Sequence, residues 1–299
     1  MKAALQSDGV ALDVGHLIGL RALARHGPET PPLSRQPGGF VARRRGHGQE
    51  MEDTREYVPG DDIRHLDRGS TARTGVLHVR SFRQDADRVT LLVADFRTSM
   101  LWGIGRALRS VAAAEALALV GWRSVEAGGR VGLLALGDDA VTVTPVRGRA
   151  RGMLGAIGGM VRAHRAALDH AAVGGGREPP LEAGLARLRW IAPPGSEIVI
   201  ASGFDGAGRG LADRLDEISR RRVPRLLSVI DGAALRLPRG LYPVRLPDGT
   251  RIRVTIDGKR AVAAEGEVLR RPALTIDADA APEDTARLIR SAFPPDRAP

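Results

Sequence analysis

The stretch Val89–Met100 reads VTLLVADFRTSM and decides the fold class. Its first six residues are apolar or β-branched, which is typical of a strand buried on both faces of a parallel sheet. Asp95 ends this run, and Ser99 follows four residues later. In α/β domains, ligands bind outside the carboxyl ends of such strands. The stretch therefore indicates a metal site, a catalytic site or the remnant of one.

Buried strands and amphipathic helices alternate after this stretch. The predicted strands are Val89–Ala94, Arg130–Leu136, Ala140–Val146, Glu197–Ala201 and Val223–Ile230. The predicted helices are Ile104–Glu126, Arg149–Leu168, Leu181–Trp190, Leu211–Arg221 and one that begins near Pro282. This alternation predicts βαβ units and an α/β fold with a doubly wound, mostly parallel sheet. Between Leu241 and Leu269, short alternating strands with turns at 247–249 and 257–258 predict a small antiparallel hairpin near the C-terminus.

Composition changes divide the chain into three predicted segments. Residues 1–48 combine a short helix, Leu12–Ala24, with an arm rich in Arg, Gly and Pro. Residues 49–232 hold the alternating α/β pattern together with the segment before it. Residues 233–299 are predicted to form the hairpin insert and a C-terminal helix.

The charge of the chain restricts its partners. The formal net charge is +10, and Lys2 and Lys259 are the only lysines. Arginine binds phosphates and carboxylates well, so nucleic acid and acidic protein surfaces are both candidate partners. Aromatic residues make up only 3% of the chain and the arginines are spread along it. No specific nucleic-acid partner is therefore expected, and an Arg-rich nucleic-acid-associated protein is kept as the alternative.

Several kinds of chemistry have no support in the sequence. The absence of cysteine excludes disulfides and thiolate metal sites. The chain has no complete phosphate-binding loop, no HExxH and no G-x-S-x-G motif. It has no uncharged apolar run of about 18 residues and no secretory leader, so a cytoplasmic protein without a transmembrane segment is expected. Neither an enzyme nor a cofactor is predicted.

A second informative stretch, Thr54 to Phe82, reads TREYVPGDDIRHLDRGSTARTGVLHVRSF. It resembles the signature of a bacterial family known as domain of unknown function 58, and the resemblance extends from about Arg43 to Ile230. The residues that fit the signature are Arg55, Glu56, Tyr57, Pro59, Gly60, Asp61, Asp62, Arg64, Asp67, Ala72, Arg73, Gly75, Leu77, Val79 and Phe82. Arg68 departs from it by replacing a tryptophan. Taken by itself, the stretch predicts a turn, an acidic helix cap at Asp61 or Asp62, and alternating charges that either fasten the segment or form a docking surface.

The family resemblance also implies a relationship to von Willebrand factor A domains. Such domains commonly hold Mg²⁺ through D-x-S-x-S after the first strand, a later threonine and a further aspartate. Here Asp95 and Ser99 remain, whereas Arg97 replaces the middle serine and Arg177 falls where the threonine is expected. Ser202 also remains, but Gly203 replaces the aspartate. The site is predicted to be degenerate and metal-free, and Mg²⁺ could bind only through Asp95 and Ser99 or through a shift of register to Asp205.

Arginine cannot coordinate a metal ion. We therefore expect Arg97, Arg177 or both to pair with Asp95 and to supply the positive charge of the ion.

The resemblance further implies a role in protein binding. Members of this family resemble partners of MoxR-type AAA+ ATPases that mature or remodel protein complexes. The chain is therefore predicted to be a non-enzymatic adaptor that contacts such an ATPase, its client complex or both, and that stays in the cytoplasm or lies peripherally at a membrane complex. Two further hypotheses stay open, a Mg²⁺-dependent protein-binding domain with a shifted ligand set and a metal-dependent hydrolase.

Overall fold

The computed structural model describes residues 9–25, 50–57, 66–83, 88–174, 176–245, 250–256 and 266–293. The strands, in chain order, are β1 Glu50–Glu56, β2 His78–Arg83, β3 Val89–Asp95, β4 Arg130–Leu136, β5 Val141–Gly148, β6 Glu197–Ser202, β7 Val223–Ile230, β8 Gly240–Arg245, β9 Arg251–Ile256, β10 Glu267–Val268 and β11 Arg271–Asp277. The helices are α1 Val14–Arg25, α2 Arg68–Thr74, α3 Arg109–Glu126, α4 Arg149–Ala172, α5 Leu181–Leu185, α6 Leu188–Ile191, α7 Leu211–Ser219 and α8 Pro282–Ala292.

A seven-stranded sheet organises the larger of two compact units. The strand order is β10-β11-β7-β6-β3-β4-β5. The five strands from β11 to β4 are parallel, whereas β5 and β10 pair antiparallel at the two edges. The chain leaves β3 towards β4 on one side and later returns to β6 on the other, so a topological switch point lies between β3 and β6. The predicted α/β fold with a doubly wound, mostly parallel sheet is confirmed.

Side chains alternate between two hydrophobic cores, one on each face of the sheet. In β3, Leu92 and Ala94 pack towards the core that includes α1, α3, α4 and α8, while Leu91 and Val93 pack towards the core that includes α5, α6 and α7. All four side chains are buried. This double burial explains why the strand is a continuous apolar run rather than an alternating one.

The central helix α3 is buried around most of its circumference because other helices cover its outer side. It contacts α1, α4 and α8 as well as the sheet. Its alanines permit this close packing, and its Trp122 indole N–H donates to the carbonyl of Leu17 in α1 at 3.0 Å. The glycines of α4 also allow close approach, since a Cβ on Gly159 would lie 2.6 Å from Leu133 and Thr144. Helix α4 therefore runs four residues past its predicted end, because close packing on the sheet offsets the poor helix propensity of glycine.

Two predictions about secondary structure were wrong, and one strand was missed. The helix predicted from Ile104 begins at Arg109, because carboxylates of other loops bind the preceding backbone: Asp231 accepts from Ile104 N at 2.6 Å and Asp279 from Arg106 N at 3.1 Å. The helix predicted over Leu181–Trp190 is divided into α5 and α6. Strand β11 had not been predicted, although it joins the main sheet beside β7.

The smaller unit consists of the described parts of residues 44–88. In it β1 pairs antiparallel with β2, with an irregularity between Met51 and Asp53. Helix α2 begins after Asp67, whose Oδ1 accepts from Ser70 N at 2.9 Å, and it ends at Gly75, whose φ of +73° favours glycine. Asp67 is thus the acidic cap in this segment. The caps predicted at Asp61 and Asp62 lie outside the described residues.

The observed units differ from the three predicted segments. Helix α1, β11 and α8 all belong to the larger unit, whereas the signature segment forms the smaller one. The predicted hairpin is present as β8 paired with β9, and its predicted turns lie outside the described residues. A second, tight hairpin joins β10 to β11 through Leu269 and Arg270, which both have positive φ (+50° and +60°). None of the described helices is both long and apolar enough to span a bilayer.

Candidate functional site

Asp95 occupies the carboxyl end of β3 next to the topological switch point. It is fully buried (0% exposed), as is its neighbour Arg97 (1% exposed). The Oδ1 atom of Asp95 accepts from the backbone N of Arg97 at 3.1 Å, and its Oδ2 accepts from the Ser202 hydroxyl at 2.6 Å. The carboxyl ends of β3 and β6 are therefore joined through one carboxylate.

The guanidinium of Arg97 lies at the centre of the site. Its Nε donates to Asp95 Oδ1 at 2.9 Å and its Nη2 to Asp95 Oδ2 at 2.8 Å, which makes a bidentate pair. The remaining donors reach the backbone carbonyls of Pro179 (2.9 Å), Asp205 (3.0 Å) and Gly206 (3.2 Å). All three nitrogens of a buried cation are therefore bound to oxygen atoms, which come from the end of β3 and from two loops.

Glu178 supplies a second carboxylate to the site. Its Oε1 lies 2.9 Å from Arg97 Nη1, and its two oxygens accept from the backbone N and the hydroxyl of Ser99 at 2.7 and 2.8 Å. A similar contact fixes the adjacent residue, because Asp138 accepts from Thr98 N at 3.0 Å and from the Thr98 hydroxyl at 2.6 Å. The short helical turn Thr98–Met100 is thus held by carboxylates of two other loops.

The side of the site formed by the loop after β6 contains a second arginine. Gly203 has no side chain, and a Cβ placed there would lie 1.2 Å from Nη2 of Arg109. Arg109 is itself buried (6% exposed); it donates to the carbonyl of Val229 at 3.1 Å and to Asp205 Oδ2 at 2.5 Å. The next residue, Phe204, has a φ of +59°, a strained conformation for an aromatic residue. The guanidinium of Arg109 therefore occupies the space that a side chain at position 203 would need.

Burial and charge act in opposite directions on these groups. Burial alone would lower the pKa of Arg97, but its hydrogen bonds and charge interaction with Asp95, followed by the charges of Glu178 and Asp138, raise that pKa above its ordinary value. Burial raises the pKa of Glu178 above its ordinary value even though Ser99 and Arg97 act in the opposite direction. The cation at the centre is therefore permanent, whereas the charge of Glu178 is held at a desolvation cost.

The arrangement does not fit a divalent ion. Mg²⁺ needs near-octahedral oxygen ligands and usually keeps several waters. The carboxylate oxygens of Asp95 are already shared by Arg97 and Ser202, and the guanidinium fills the volume between the carboxylates. No cluster of three or more metal-ligating side chains is found in the part of the chain that the structure describes.

The family model described as "Protein of unknown function DUF58" matches residues 53–263, more than half of the chain. The chain belongs to this family. The match includes the signature segment, the whole of the Arg97 site and the β8–β9 hairpin.

Relatives of this DUF58 protein include three curated mycobacterial proteins. They are Uncharacterized protein Rv1480 and Uncharacterized protein MT1527 of Mycobacterium tuberculosis, and Uncharacterized protein Mb1516 of Mycobacterium bovis. Each is 35% identical over 102 residues, which is 34% of this chain and 32% of the relative. The chain therefore spans about a third of the length of the curated relatives that it matches.

The structure brings together most of the residues that the sequence had indicated for the degenerate site. Asp95, Arg97 and Ser202 are in direct contact, and Ser99 joins them through Glu178. The predicted ion pair between Arg97 and Asp95 is present. Arg177 is exposed and makes no ion pair with Asp95; its neighbour Glu178 points into the site instead. The DUF58 signature residues Pro59, Gly60, Asp61, Asp62 and Arg64 lie outside the described residues.

The sequence interpretation missed three residues of the site. Glu178 stands in the proline- and glycine-rich loop VGGGREPP, next to Arg177, which the resemblance places at the threonine position. Asp138 follows β4, and carboxylates after a parallel strand are a signal that could have indicated it. Arg109 lies 96 residues from Asp205 in the chain, and no local pattern relates the two.

Proposed function

We propose that this protein is a non-enzymatic, protein-binding adaptor of the von Willebrand factor A type, with a guanidinium in place of the metal ion. The observation that carries the proposal is the position of Arg97, whose buried guanidinium is surrounded by Asp95, Glu178 and three backbone carbonyls. A fixed internal cation can order the loops at the strand ends without a soluble ligand. Family resemblance alone supports the further proposal that the partner is a MoxR-type AAA+ ATPase or its client.

The polar groups of the site favour binding over catalysis. The hydroxyl of Ser99 donates to Glu178, and that of Ser202 donates to Asp95. Both hydroxyls are therefore used in structural hydrogen bonds, and neither is paired with an imidazole base as a nucleophilic site would require.

The surface beside Arg97 has the features of a protein contact. Trp102 and Ile104 are 41% and 50% exposed on the loop after β3. This loop is rigid because Asp231 and Asp279 bind its backbone, and the Arg109 guanidinium lies 5.4 Å from the Trp102 ring centroid. Rigid aromatic side chains with arginine nearby are typical of interface hot spots. We define the strand-end face as Trp102, Ile104, Arg177 and Asp205, which are all exposed.

Co-purification with a MoxR-like ATPase tests the partner. Trp102→Ala and Arg177→Glu each remove an exposed group of the strand-end face, and we expect each to weaken capture at least ~10-fold. Asp62→Ala is the corresponding probe of the signature segment. Trp190→Ala, at the opposite end of the sheet, is the matched control and should be captured like the wild type. Unchanged capture of both strand-end variants would argue against this surface.

Calorimetric titration with Mg²⁺ and Mn²⁺ tests the proposed role of the guanidinium. The wild-type protein should give no saturable heat. Micromolar binding that disappears in Asp95→Ala would show that a metal ion, and not Arg97, supplies the positive charge.

A further inference from the structure

An exposed tryptophan lies at the end of the sheet opposite to Asp95. Trp190 is 77% exposed and belongs to α6, which leads into the amino end of β6. The chain around it is apolar: Ile191 is half-buried, and Pro193 and Pro194 are exposed. A single exposed apolar residue is common, but a tryptophan beside exposed prolines and arginines offers a large amphipathic contact area.

Arginines surround this apolar tip. Arg187, Arg189, Arg220 and Arg221 are exposed, and Arg222 is half-buried. In the described parts of the chain, none of these five forms a salt bridge, while the nearby acids Asp216 and Glu217 pair with Arg271 and Arg214. We call these five arginines together with Trp190 the basic–tryptophan patch.

Backbone contacts hold the patch together. Arg222 Nε donates to the carbonyl of Ala192 at 2.8 Å, and its Nη2 reaches the carbonyl of Arg189 at 3.2 Å. The backbone N of Gly195 donates to the carbonyl of Arg221 at 2.7 Å. The turn after α6 and the end of α7 therefore present one preformed surface. Burial, and then the charge of Arg221, lower the pKa of Arg222 although the charge of Glu217 acts in the opposite direction, which agrees with crowded cations.

The chemistry of the patch favours a membrane surface over a nucleic acid. Single strands stack successive bases on several aromatic side chains. Here there is one exposed aromatic ring, and the Arg189 guanidinium lies 4.6 Å from its centroid, so one face of the indole is already covered. Tryptophan prefers the interface between lipid headgroups and acyl chains, and neighbouring arginines bind anionic headgroups. The two exposed prolines have no amide N–H to desolvate on insertion.

We propose that the basic–tryptophan patch binds the surface of an anionic membrane, with Trp190 at the headgroup boundary and the arginines on lipid phosphates. This inference is independent of the adaptor function, because the patch and the strand-end face lie at opposite ends of the sheet. A protein with both surfaces could hold a partner at a membrane without spanning it.

Sedimentation of the full-length protein with vesicles tests the proposal. Vesicles of phosphatidylcholine with about a third phosphatidylglycerol are compared with pure phosphatidylcholine, at low and high salt. Arg189→Gln/Arg220→Gln/Arg221→Gln should weaken binding to anionic vesicles by on the order of 100-fold, and Trp190→Ala by about 10-fold. The matched control, Arg151→Gln/Arg162→Gln/Arg165→Gln, removes three exposed arginines of α4, gives the same net charge and should bind like the wild type.

Circular dichroism of each variant confirms that the fold is kept, as expected for exposed side chains. A blue shift of tryptophan fluorescence on vesicle binding that is lost in Trp190→Phe would support the predicted depth. Binding to both kinds of vesicle alike, or equal losses in the patch and control variants, would overturn the proposal. So would Trp190-dependent binding of a single-stranded oligonucleotide without vesicle binding, which would assign the patch to nucleic acid.

Discussion

Replacing Arg97 by serine converts the guanidinium site into an acidic one. Among the described side chains that donate to Asp95, only the Ser202 hydroxyl remains. The carbonyls of Pro179 and Asp205 lose their Arg97 donor, while that of Gly206 keeps the backbone N of Leu181 at 3.2 Å. Asp95 then stays buried as an uncompensated charge beside Glu178. We expect the Arg97→Ser variant to fold with a large loss of stability.

The magnitude follows from the burial of the pair. Asp95 and Arg97 are 0% and 1% exposed, so solvent screens their interaction very little. Removing one partner of such a pair typically costs ~3–5 kcal/mol. For a unit of this size, each 1 kcal/mol lowers Tm by about 2–4 °C. A decrease in Tm on the order of 10 °C is therefore expected.

The same variant should gain a response to divalent ions. Asp95, Glu178, Ser99 and Ser202 would surround the vacated volume, and these oxygen donors are of the type that Mg²⁺ binds. With Mg²⁺ at ten times its Kd, ligand binding would restore about 1.4 kcal/mol. The wild type should show no such gain, because its own guanidinium fills the site.

Thermal denaturation of the wild type and the variant, each with and without 10 mM Mg²⁺ (~10 times a Kd on the order of 1 mM), measures both effects. Arg177→Ser is the matched control: it removes an exposed arginine from the same end of the sheet and should change stability by less than ~0.5 kcal/mol. A Tm for Arg97→Ser within about 2 °C of the wild type would refute the reasoning, because Asp95 would then not depend on this cation. Equal Mg²⁺ stabilisation of both proteins would refute the idea that the guanidinium replaces the ion.

Three further sets of substitutions should change the stability of the protein in a direction that the structure predicts. Burial raises the pKa of Glu115, but its hydrogen bonds with His16 and Arg106 outweigh burial and hold that pKa below its ordinary value of 4.5. Glu115→Gln should therefore cost about 2 kcal/mol at pH 7, as measured by urea denaturation. This difference should shrink as the pH falls below 4.5 towards the folded-state pKa, and a constant difference would contradict the assignment. Burial raises the pKa of Glu178, so the sign reverses for this residue. Glu178→Gln should change stability by only about 1 kcal/mol at pH 7, because burial opposes the charge more than Ser99 and Arg97 favour it. The wild type should gain stability relative to Glu178→Gln as the pH falls through the folded-state pKa. A wild type that instead lost stability relative to Glu178→Gln on acidification would show that the ion pair with Arg97 dominates. The double variant Leu269→Asn/Arg270→Gly should raise Tm by a few degrees, which corresponds to ~1 kcal/mol. The reason is that asparagine and glycine tolerate the positive φ of the β10–β11 turn. A lower Tm would show that contacts of the Leu269 side chain outweigh the backbone strain.

The buried strands could be predicted from the sequence because their burial on both faces gives an uninterrupted apolar run. The predicted Val89–Ala94 and Glu197–Ala201 each differ from the observed strand by one residue. The start of α3 could not be predicted in this way. Residues 104–108 have helical spacing, but Asp231 and Asp279 from distant loops bind their backbone instead. Such contacts over more than 120 residues leave no periodic signal.

Only those contacts of the candidate site that join residues close together in the sequence could be predicted. Asp95 and Arg97 are two residues apart, and their opposite charges at the end of a strand already indicated a pair. To predict Glu178, one would need to know which residues of a loop rich in glycine and proline point inward. Neither helix nor strand periodicity fixes this in such a loop. Arg109 was missed because it lies at the start of a helix whose beginning was itself predicted wrongly.

The close approach of Arg109 to Gly203 has a consequence for substitutions at position 203. A Cβ at position 203 would lie 1.2 Å from Nη2 of Arg109, so any side chain introduced there has to displace the guanidinium. A side chain at position 203 would therefore move the guanidinium away from Asp205 and from the carbonyl of Val229, its two partners in the site. Positions 109 and 203 are therefore coupled: the effect of a new side chain at 203 depends on whether Arg109 is present, and a double-mutant cycle measures that coupling.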